Sequence, residues 1–375
     1  MAHYAYNLAE SLAALRPVTV VTAADYELSA LPQSFAREGL FRPRPIRRDM
    51  PKAERIDAAA AHLRDLGRLV ALVLRTHPSV VHLVWPASNH YAPFLLTMAR
   101  ALRGPATVVT AHEAVPYEGS EKRTRWYGRT YLATDGVIAH SRHVARELQL
   151  IHGPIRDIEV IPHGEYGFFR AHAERDQGSA RARLGLPPDR RLLLFFGSIR
   201  AHKGVDLLAS AWTRALDQGL PADVDLVVAG KARPESEAHV AALTKAAGSR
   251  LHGRIDYIDH NEVGDYVTAS DALVLPYRRC DTSGILALAY AFGRPVVATD
   301  VGSLHYEVRP GVTGLLAHRD DPEDLGRQIV RIFTPGLLPA LAAGALREAA
   351  KLAWPTIARQ TDSFYLRLEA LRGRA

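Results

Sequence analysis

The sequence predicts an α/β protein made of two Rossmann-like domains, each a doubly wound parallel sheet. The 375 residues are too many for one ordinary core and fit two such domains. Short, nearly all-apolar runs alternate with amphipathic stretches, as strands covered on both faces alternate with helices. Apolar residues make up 47% of the chain and charged residues 23%, which is a globular composition.

The apolar and β-branched runs predict the strands, and 3.6-residue periodicity predicts the helices between them. The predicted strands are residues 18–23, 80–85, 107–112, 136–140, 158–162, 191–197, 225–229, 255–258, 272–276 and 295–299. The clearest helices are residues 54–75, 142–150, 205–216 and 322–333. Ligands of such folds bind at the carboxyl ends of the strands.

A polar run from residue 170 to 190 interrupts this alternation. It contains Gly178 and nears its end with Leu186-Pro187-Pro188, so we interpret the run as a linker and expect the domain boundary near 175–188. The predicted divisions are 1–176, 188–350 and 351–375. The chain opens directly with a helical segment, whereas a doubly wound domain normally begins with a strand and a glycine-rich turn. We therefore expect the first strand of the N-terminal domain to be missing, either because the chain is truncated or because its true start lies upstream.

Composition and charge restrict the compartment and the partners. The single cysteine, Cys280, excludes an internal disulfide and fits a reducing compartment. We find no apolar run long enough to span a membrane and no signal peptide, so a cytoplasmic protein is expected. The formal charge of +7 favours an anionic partner, and no motif indicates nucleic acid. The densest basic stretch, residues 42–48, is either a solvated loop or a contact to anionic lipid at the inner membrane face or to an acceptor.

Two segments of the second half carry strand–turn–helix patterns that favour phosphate binding. In residues 195–204, Gly197 at a strand end lets the backbone approach a ligand, and Arg200 and Lys203 add positive charge at a helix start. In residues 275–286, Ser283 and Gly284 open a second helix. The alternative is that the cations are solvated turn residues and that Ser283 is only an N-cap.

These segments resemble, in order and spacing, the C-terminal half of family 4 retaining glycosyltransferases, which have the GT-B fold of two domains facing a cleft. The match runs over residues 191–316. It includes residues 228–230, 266–272, 291–302 and 311–316. A weaker resemblance covers residues 4–12, 107–112, 159–164 and 354–357. It implies that residues 351–375 form a helix that crosses back onto the first domain.

The resemblance implies a reaction and a set of site residues. The second domain would bind a nucleotide sugar and the first an acceptor, which is a glycan, a lipid-linked glycan or a small molecule. Arg200 and Lys203 would hold the diphosphate, while Ser283, Gly284 and Ile285 would offer backbone groups. His112 would contact the donor sugar through its backbone carbonyl and ring. The leaving phosphate would accept the acceptor's proton, so catalysis would come from positioning and charge stabilisation.

The chain departs from the family pattern at two usual glutamates. Cys280 and Leu288 occupy those positions, and Asp281 is the nearest replacement for the first carboxylate. Glu307 is the best remaining carboxylate for a ribose, although it also fits an ordinary helix-start residue. These losses leave open a non-catalytic GT-B subunit that binds a partner or a glycan. A sugar-nucleotide epimerase of similar architecture fits the motifs less well.

No metal or separate cofactor is expected. Asp223-Val224-Asp225 imitates a metal-binding pair, but it starts a predicted strand and therefore lies at the wrong end for a ligand site. The 17 histidines show no zinc spacing, and His163 and His202 are interpreted as polar loop residues. No histidine partner for Cys280 is evident, so a nucleophilic thiol is not expected.

Overall fold

A computed structural model describes residues 2–26, 28–29, 31–41, 50–85, 92–102, 104–117 and 121–373. The chain forms two compact units. Unit 1 comprises Met1–His140, Ala145–Gly164 and Trp354–Ala375, and unit 2 comprises Ser141–Val144 and Glu165–Ala353. The basic stretch at residues 42–48 lies outside the described residues.

Helices and parallel strands alternate along both units. The α-helices are α1 (Ala2–Ala13), α2 (Lys52–Thr76), α3 (Ala92–Ala101), α4 (Glu121–Ala133), α5 (Arg142–His152), α6 (Gln177–Leu184), α7 (Val205–Asp217), α8 (Glu237–Ala247), α9 (Val263–Ala269), α10 (Gly284–Ala291), α11 (Leu304–Glu307), α12 (Pro322–Ile332), α13 (Leu337–Lys351) and α14 (Trp354–Gly373). The strands are β1 (Thr19–Ala23), β2 (Ala36–Phe41), β3 (Val80–Leu83), β4 (Ala106–Ala111), β5 (Gly136–Ala139), β6 (Ile158–Val160), β7 (Arg191–Phe196), β8 (Val224–Ala229), β9 (Leu251–Arg254), β10 (Ala272–Leu275), β11 (Val296–Thr299) and β12 (Gly314–Ala317).

Unit 1 contains two parallel sheets. One pairs β1 with β2, and the other has the order β3-β4-β5-β6. The inner strands β4 and β5 are buried throughout, whereas every residue of β3 is only partly buried. Helices α1 and α14 pack together, and their apolar side chains Leu8 and Phe364 join Val108 and Ile138 in one core. Among the described residues, no strand joins the two sheets into one.

Unit 2 is a single parallel sheet in the order β12-β11-β10-β7-β8-β9. Alternate residues of β7 enter two different cores, with Leu193 and Phe195 on one face and Leu192 and Leu194 on the other. Because both faces of the strand are covered, β7 is apolar along nearly its whole length. The predicted parallel, doubly wound sheet is confirmed for this unit.

Two sequence-based assignments in unit 2 are wrong. Residues 255–258 are not a strand; β9 ends at Arg254, and Tyr257 is 69% exposed. As an edge strand with a half-exposed surface, β9 lacks the apolar run that marks inner strands. The run predicted as a linker contains α6, which Asp176 caps at its start and Gly185 ends in a left-handed conformation.

Helix α6 is fixed to unit 2 by its own polar side chains. The Arg181 guanidinium donates to the Ala269 carbonyl at 2.9 Å and to Asp271 at 3.0 Å. The polar composition of this run therefore reflects buried hydrogen bonding rather than solvent exposure. Within the described chain no single helix is both long and apolar enough to cross a membrane; residues 322–332 and 337–373 meet that criterion only when joined across a sharp bend.

Candidate functional site

The candidate site of unit 2 lies where the strand order reverses. From β7 the chain proceeds through β8 and β9 to one side and returns through β10, β11 and β12 on the other. In open α/β sheets, ligand-binding crevices form at this point, outside the carboxyl ends of the two central strands. The connections that follow β7 and β10, residues 197–204 and 276–283, contain most of the predicted site residues.

The backbone locks these two connections together. Gly204 has a φ of 66°, and a Cβ there would overlap the carbonyl oxygen of Pro276. The Arg278 N–H donates to the His202 carbonyl at 2.9 Å. A residue with a side chain would be both strained and sterically excluded at Gly204. The turn that carries Lys203 is therefore held against the end of β10.

Gly197 and Ile285 are also neighbours. Gly197 has a φ of 103°, and a Cβ there would lie 3.5 Å from the Ile285 Cδ1. The end of β7 thus faces the first turn of α10. Ser283 is the N-cap of this helix, because its hydroxyl accepts from the Leu286 N–H at 3.2 Å. The N–H groups of Gly284 and Ile285 precede the first intrahelical bond and are placed to meet an anion.

Positive charge is concentrated around His202. Burial and neighbouring cations lower the pKa of His202 to about 4. Those cations are Lys203, Arg200 and Arg279, in falling order of effect. Lys203 follows His202 directly in the turn, Arg200 lies two residues before it, and Arg279 follows Arg278, whose N–H bonds to the His202 carbonyl, so the three cations lie on two segments that are in contact. Arg279 was not predicted from the sequence, where it is only one of two consecutive arginines.

Lys203 rests on an aromatic ring. Its Nζ lies 3.7 Å from the centre of the Tyr277 ring, and Tyr277 is 1% exposed. No described residue accepts a hydrogen bond from the Tyr277 hydroxyl. The ring face orients the ammonium by a cation–π interaction. Sequence reasoning missed Tyr277, since a tyrosine after a strand has no distinctive spacing.

Asp281 is committed to an ion pair. Its two carboxylate oxygens accept from the Arg279 Nε at 3.2 Å and Nη2 at 3.0 Å, and the side chain is almost fully buried. In this conformation the carboxylate fixes Arg279 and partly balances its charge. To act in place of the first family glutamate, as expected from the sequence, Asp281 would have to share these oxygens with a ligand.

Glu307 joins the site through a polar chain. The Ser303 hydroxyl lies 3.4 Å from the Glu307 Oε2 and 3.5 Å from the Cys280 Sγ. Burial raises the pKa of Glu307 to about 8, although the hydrogen bond from the Ser303 hydroxyl has the opposite, smaller effect. Burial also raises the pKa of the Cys280 thiol to about 12, which opposes a nucleophilic thiolate at neutral pH.

The acidic pair at the start of β8 is occupied by arginines. Asp225 pairs with Arg190 and accepts from His252 at 2.9 Å, and Asp223 pairs with Arg191 at 2.6 Å. Across the described part of the chain, no group of three or more His, Cys, Asp or Glu side chains could hold a metal ion.

His112 lies in unit 1, directly after β4, within a cluster of rings. Its Nε2 donates to the Val84 carbonyl at 3.1 Å, and its Nδ1 lies 3.2 Å from the His140 Nε2. The Tyr4 ring packs edge-on against it at 84°, and the Trp85 ring packs against it at a tilt of 34°. Burial holds the pKa of His112 well below its usual value, so the ring is neutral at pH 7. The ring reaches a ligand only by giving up one of these contacts.

The partners of His112 were absent from the sequence-based site. His140 directly follows β5 and His163 follows β6, so histidines occur at the carboxyl ends of three consecutive strands. That spacing was the available signal. Burial lowers the pKa of His140 to about 3 and that of His163 to about 4.

Comparison with known proteins agrees with this fold. The model described as Glycosyltransferase Family 4 matches residues 1–164, and that described as Glycosyl transferases group 1 matches residues 190–334. Together they cover most of the chain, which therefore belongs to glycosyltransferase family 4.

Two relatives of this chain are D-inositol 3-phosphate glycosyltransferases. The D-inositol 3-phosphate glycosyltransferase 1 of Catenulispora acidiphila is 37% identical over 254 residues, which are 64% of this chain and 60% of that protein. The D-inositol 3-phosphate glycosyltransferase of Streptomyces bingchenggensis is 32% identical over 251 residues, 64% of this chain and 54% of that protein. The chain thus spans only a little over half the length of these relatives.

Solved structures confirm the GT-B fold. Sucrose-phosphate synthase from Thermosynechococcus elongatus has a TM-score of 0.76 at 20% identity, covering 98% of this chain and 93% of that one. HepE of Anabaena in complex with UDP has a TM-score of 0.74 at 16% identity, covering 97% and 95%.

Proposed function

We propose that this chain transfers a sugar from a nucleoside diphosphate to an acceptor hydroxyl, with retention of anomeric configuration and without a metal. The observation that carries the proposal is that Arg200, Lys203 and Arg279 lie on two connections held together by backbone contacts at the strand-order reversal of unit 2. A pyrophosphate is the small anion that such a cluster, together with a helix N-terminus, suits best.

The donor's diphosphate would lie between the cations and the first turn of α10. Lys203 and Arg200 would neutralise charge that builds on the leaving oxygen, and the N–H groups of Gly284 and Ile285 would bind a phosphate oxygen. Gly197 would let the ligand approach the end of β7. HepE has been solved with UDP and with UDP-glucose, which supports a nucleotide sugar as the donor class.

The chemical step needs no carboxylate base. The bond from the anomeric carbon to the phosphate oxygen breaks as the acceptor oxygen attacks the same face, and the departing phosphate takes the acceptor's proton. The protein would supply positioning and charge stabilisation. Glu307, whose pKa of about 8 keeps its carboxyl protonated at pH 7, would donate to the ligand rather than act as a base.

The acceptor would be a glycan, a lipid-linked glycan or a small molecule such as an inositol phosphate, the substrate class named for the curated relatives. We place the reaction in the cytoplasm, with peripheral contact to the inner membrane face when the acceptor is lipid-linked.

The donor class is tested by thermal shift with UDP-, GDP-, ADP- and dTDP-linked sugars. A ligand that binds the folded state raises the unfolding temperature by mass action, without knowledge of the acceptor. Lys203→Ala should then lower donor hydrolysis or transfer by about 100-fold, the usual cost of removing one oriented charge donor.

Lys245→Ala is the matched control, since Lys245 is an exposed lysine of α8 outside the cluster. Equal turnover in Lys203→Ala and Lys245→Ala would remove Lys203 from the reaction. Nucleotide binding without any hydrolysis or transfer would instead favour the non-catalytic subunit, in line with Cys280 and Leu288 at the usual glutamate positions.

A further inference from the structure

Helix α2 of unit 1 exposes an apolar stripe. Ala58 and Leu66 face the protein, whereas the large apolar residues on the opposite side are 40 to 65% exposed. The stripe consists of Ile56, Leu63, Val70 and Leu74. Residues seven apart return to within about 20° of the same helix face, and Leu74 lies one turn beyond Val70, so these side chains form one line about five turns long.

A second apolar line lies on the neighbouring part of unit 1. Phe94, Met98 and Leu102 are spaced by four residues on and just after α3 and are 39 to 73% exposed. Residues from the end of α2 and the segment after α3, Leu74 and Pro105 among them, line one open groove. Leu74 ends the first line, and residues 104–106 follow Leu102 at the end of the second, so the two lines end close to each other. A soluble monomer rarely exposes large apolar patches without a partner.

Exposed cations flank both lines. Helix α2 carries exposed basic side chains along its length, and α4, which contacts α3, exposes more in its first turns. They are Lys52, Arg55, Arg64, Arg68 and Arg75 on α2, and Lys122 and Arg125 on α4. An apolar line bordered by lysine and arginine is the composition of a helix that lies in a membrane interface.

The whole positive excess of the chain lies outside residues 165–353, the main segment of unit 2. Residues 165–353 contain equal numbers of basic and acidic side chains, so the formal charge of +7 comes from residues 1–164 and 354–375. The diphosphate site in unit 2 therefore does not account for the basic composition. An anionic partner that contacts unit 1 would account for it.

We propose that α2 and α3 form a surface that binds an anionic lipid bilayer, with the apolar lines in the interface and the cations at the headgroups. The attraction of each exposed cation to an anionic surface and the burial of the apolar side chains act together. A second copy of the chain would also cover the apolar lines, but it would bring like charges together.

Vesicle sedimentation tests the proposal without nucleotide or acceptor, so its outcome is separate from that of sugar transfer. The full chain is mixed with phosphatidylcholine vesicles, or with vesicles in which about a third of the lipid is phosphatidylglycerol. We expect binding to the anionic vesicles to be at least about 10-fold stronger, and to weaken as salt rises from about 0.1 to 0.5 M.

The variant L63E/V70E should lower binding to anionic vesicles by at least about 10-fold. Leu366→Glu is the matched control, because Leu366 is a similarly exposed leucine, at 53%, on α14 of the same unit. It should leave binding within about two-fold of the wild type. A second variant, R64Q/R75Q, keeps the apolar line and should weaken binding by about five-fold per arginine, on anionic vesicles only.

Circular dichroism and unfolding temperature check that each variant is folded. Wild-type protein that stays in the supernatant of anionic vesicles would overturn the proposal, as would L63E/V70E and R64Q/R75Q binding like the wild type. A wild-type dimer that L63E/V70E converts to a monomer, without vesicle binding, would assign the surface to a second copy instead.

Discussion

Removing the aromatic face under Lys203 should weaken nucleotide binding by a calculable amount. The ammonium lies 3.7 Å from the Tyr277 ring centre, and the ring is almost fully buried. A cation over an aromatic face is worth about 0.5 to 1 kcal/mol when exposed and about 2 when desolvated. Lys203 is half-buried, so we expect about 1 kcal/mol, or about five-fold in affinity, to be lost in Tyr277→Leu.

Calorimetric titration with the nucleoside diphosphate that gives the largest thermal shift measures this loss. Tyr277→Phe retains the ring face and should bind like the wild type. In a Lys203→Ala background, Tyr277→Leu should change the affinity little, because the cation that the ring orients is gone. An equal loss in both backgrounds would refute the reasoning and assign Tyr277 a general packing role.

The Tyr277→Phe variant also tests the role of the Tyr277 hydroxyl in stability. It is buried, and no described residue accepts its proton. A buried hydroxyl without a partner carries a desolvation cost of about 1 to 3 kcal/mol. Tyr277→Phe should therefore unfold at the same urea concentration as the wild type or a higher one. A loss of more than about 1 kcal/mol would mean that the hydroxyl is hydrogen-bonded.

Two further predictions concern stability. Burial lowers the pKa values of His82, His140 and His163 to about 4, 3 and 4, below the ordinary value of 6.5. Between pH 4 and 6.5 the unfolded chain then binds more protons than the folded chain. The free energy of unfolding should therefore fall as pH drops through that range, by about 1.4 kcal/mol per group and pKa unit. A urea midpoint that stays constant from pH 7 to 5 would contradict this prediction. Gly204→Ala should lower the free energy of unfolding by more than about 2 kcal/mol and abolish nucleotide binding, because its Cβ would overlap the Pro276 carbonyl. Gly185→Ala, at a similar φ with open space around it, should cost about 1 kcal/mol and leave binding intact. Equal urea midpoints for the two variants would refute the steric argument.

The inner strands of both units could be predicted from sequence because burial on two faces requires apolar residues throughout. Strand β7 is the clearest case, since both of its faces enter a core. Strands β2 and β9 were missed for the opposite reason, because they carry charged or glycine residues on partly exposed faces. Helix α6 was missed because polar residues that satisfy buried carbonyls look like solvated residues in sequence.

The parts of the candidate site that depend on backbone conformation were predictable, because glycines and helix N-caps can be recognised from the local sequence. Gly197, Gly204 and Ser283 follow strand ends and precede helices, and the structure brings their connections together. The contacts between side chains from different strands could not be recognised from the local sequence. Tyr277 beneath Lys203 depends on the register of adjacent strands β7 and β10, which a single sequence does not encode locally.

The distribution of charge implies different salt responses for the two kinds of binding. Residues 165–353 are balanced in charge overall, so a diphosphate would be held by a few cations at short range within a half-buried site. Such contacts are screened weakly. The excess on α2 and α4 is exposed and would act on a surface across solvent, where the screening length shrinks from about 10 Å at 0.1 M to about 3 Å at 1 M. Raising salt should therefore release the chain from anionic vesicles well before it releases nucleotide. If nucleotide binding proved the more salt-sensitive of the two, the cations of unit 2 would have to be acting by long-range attraction rather than by contact.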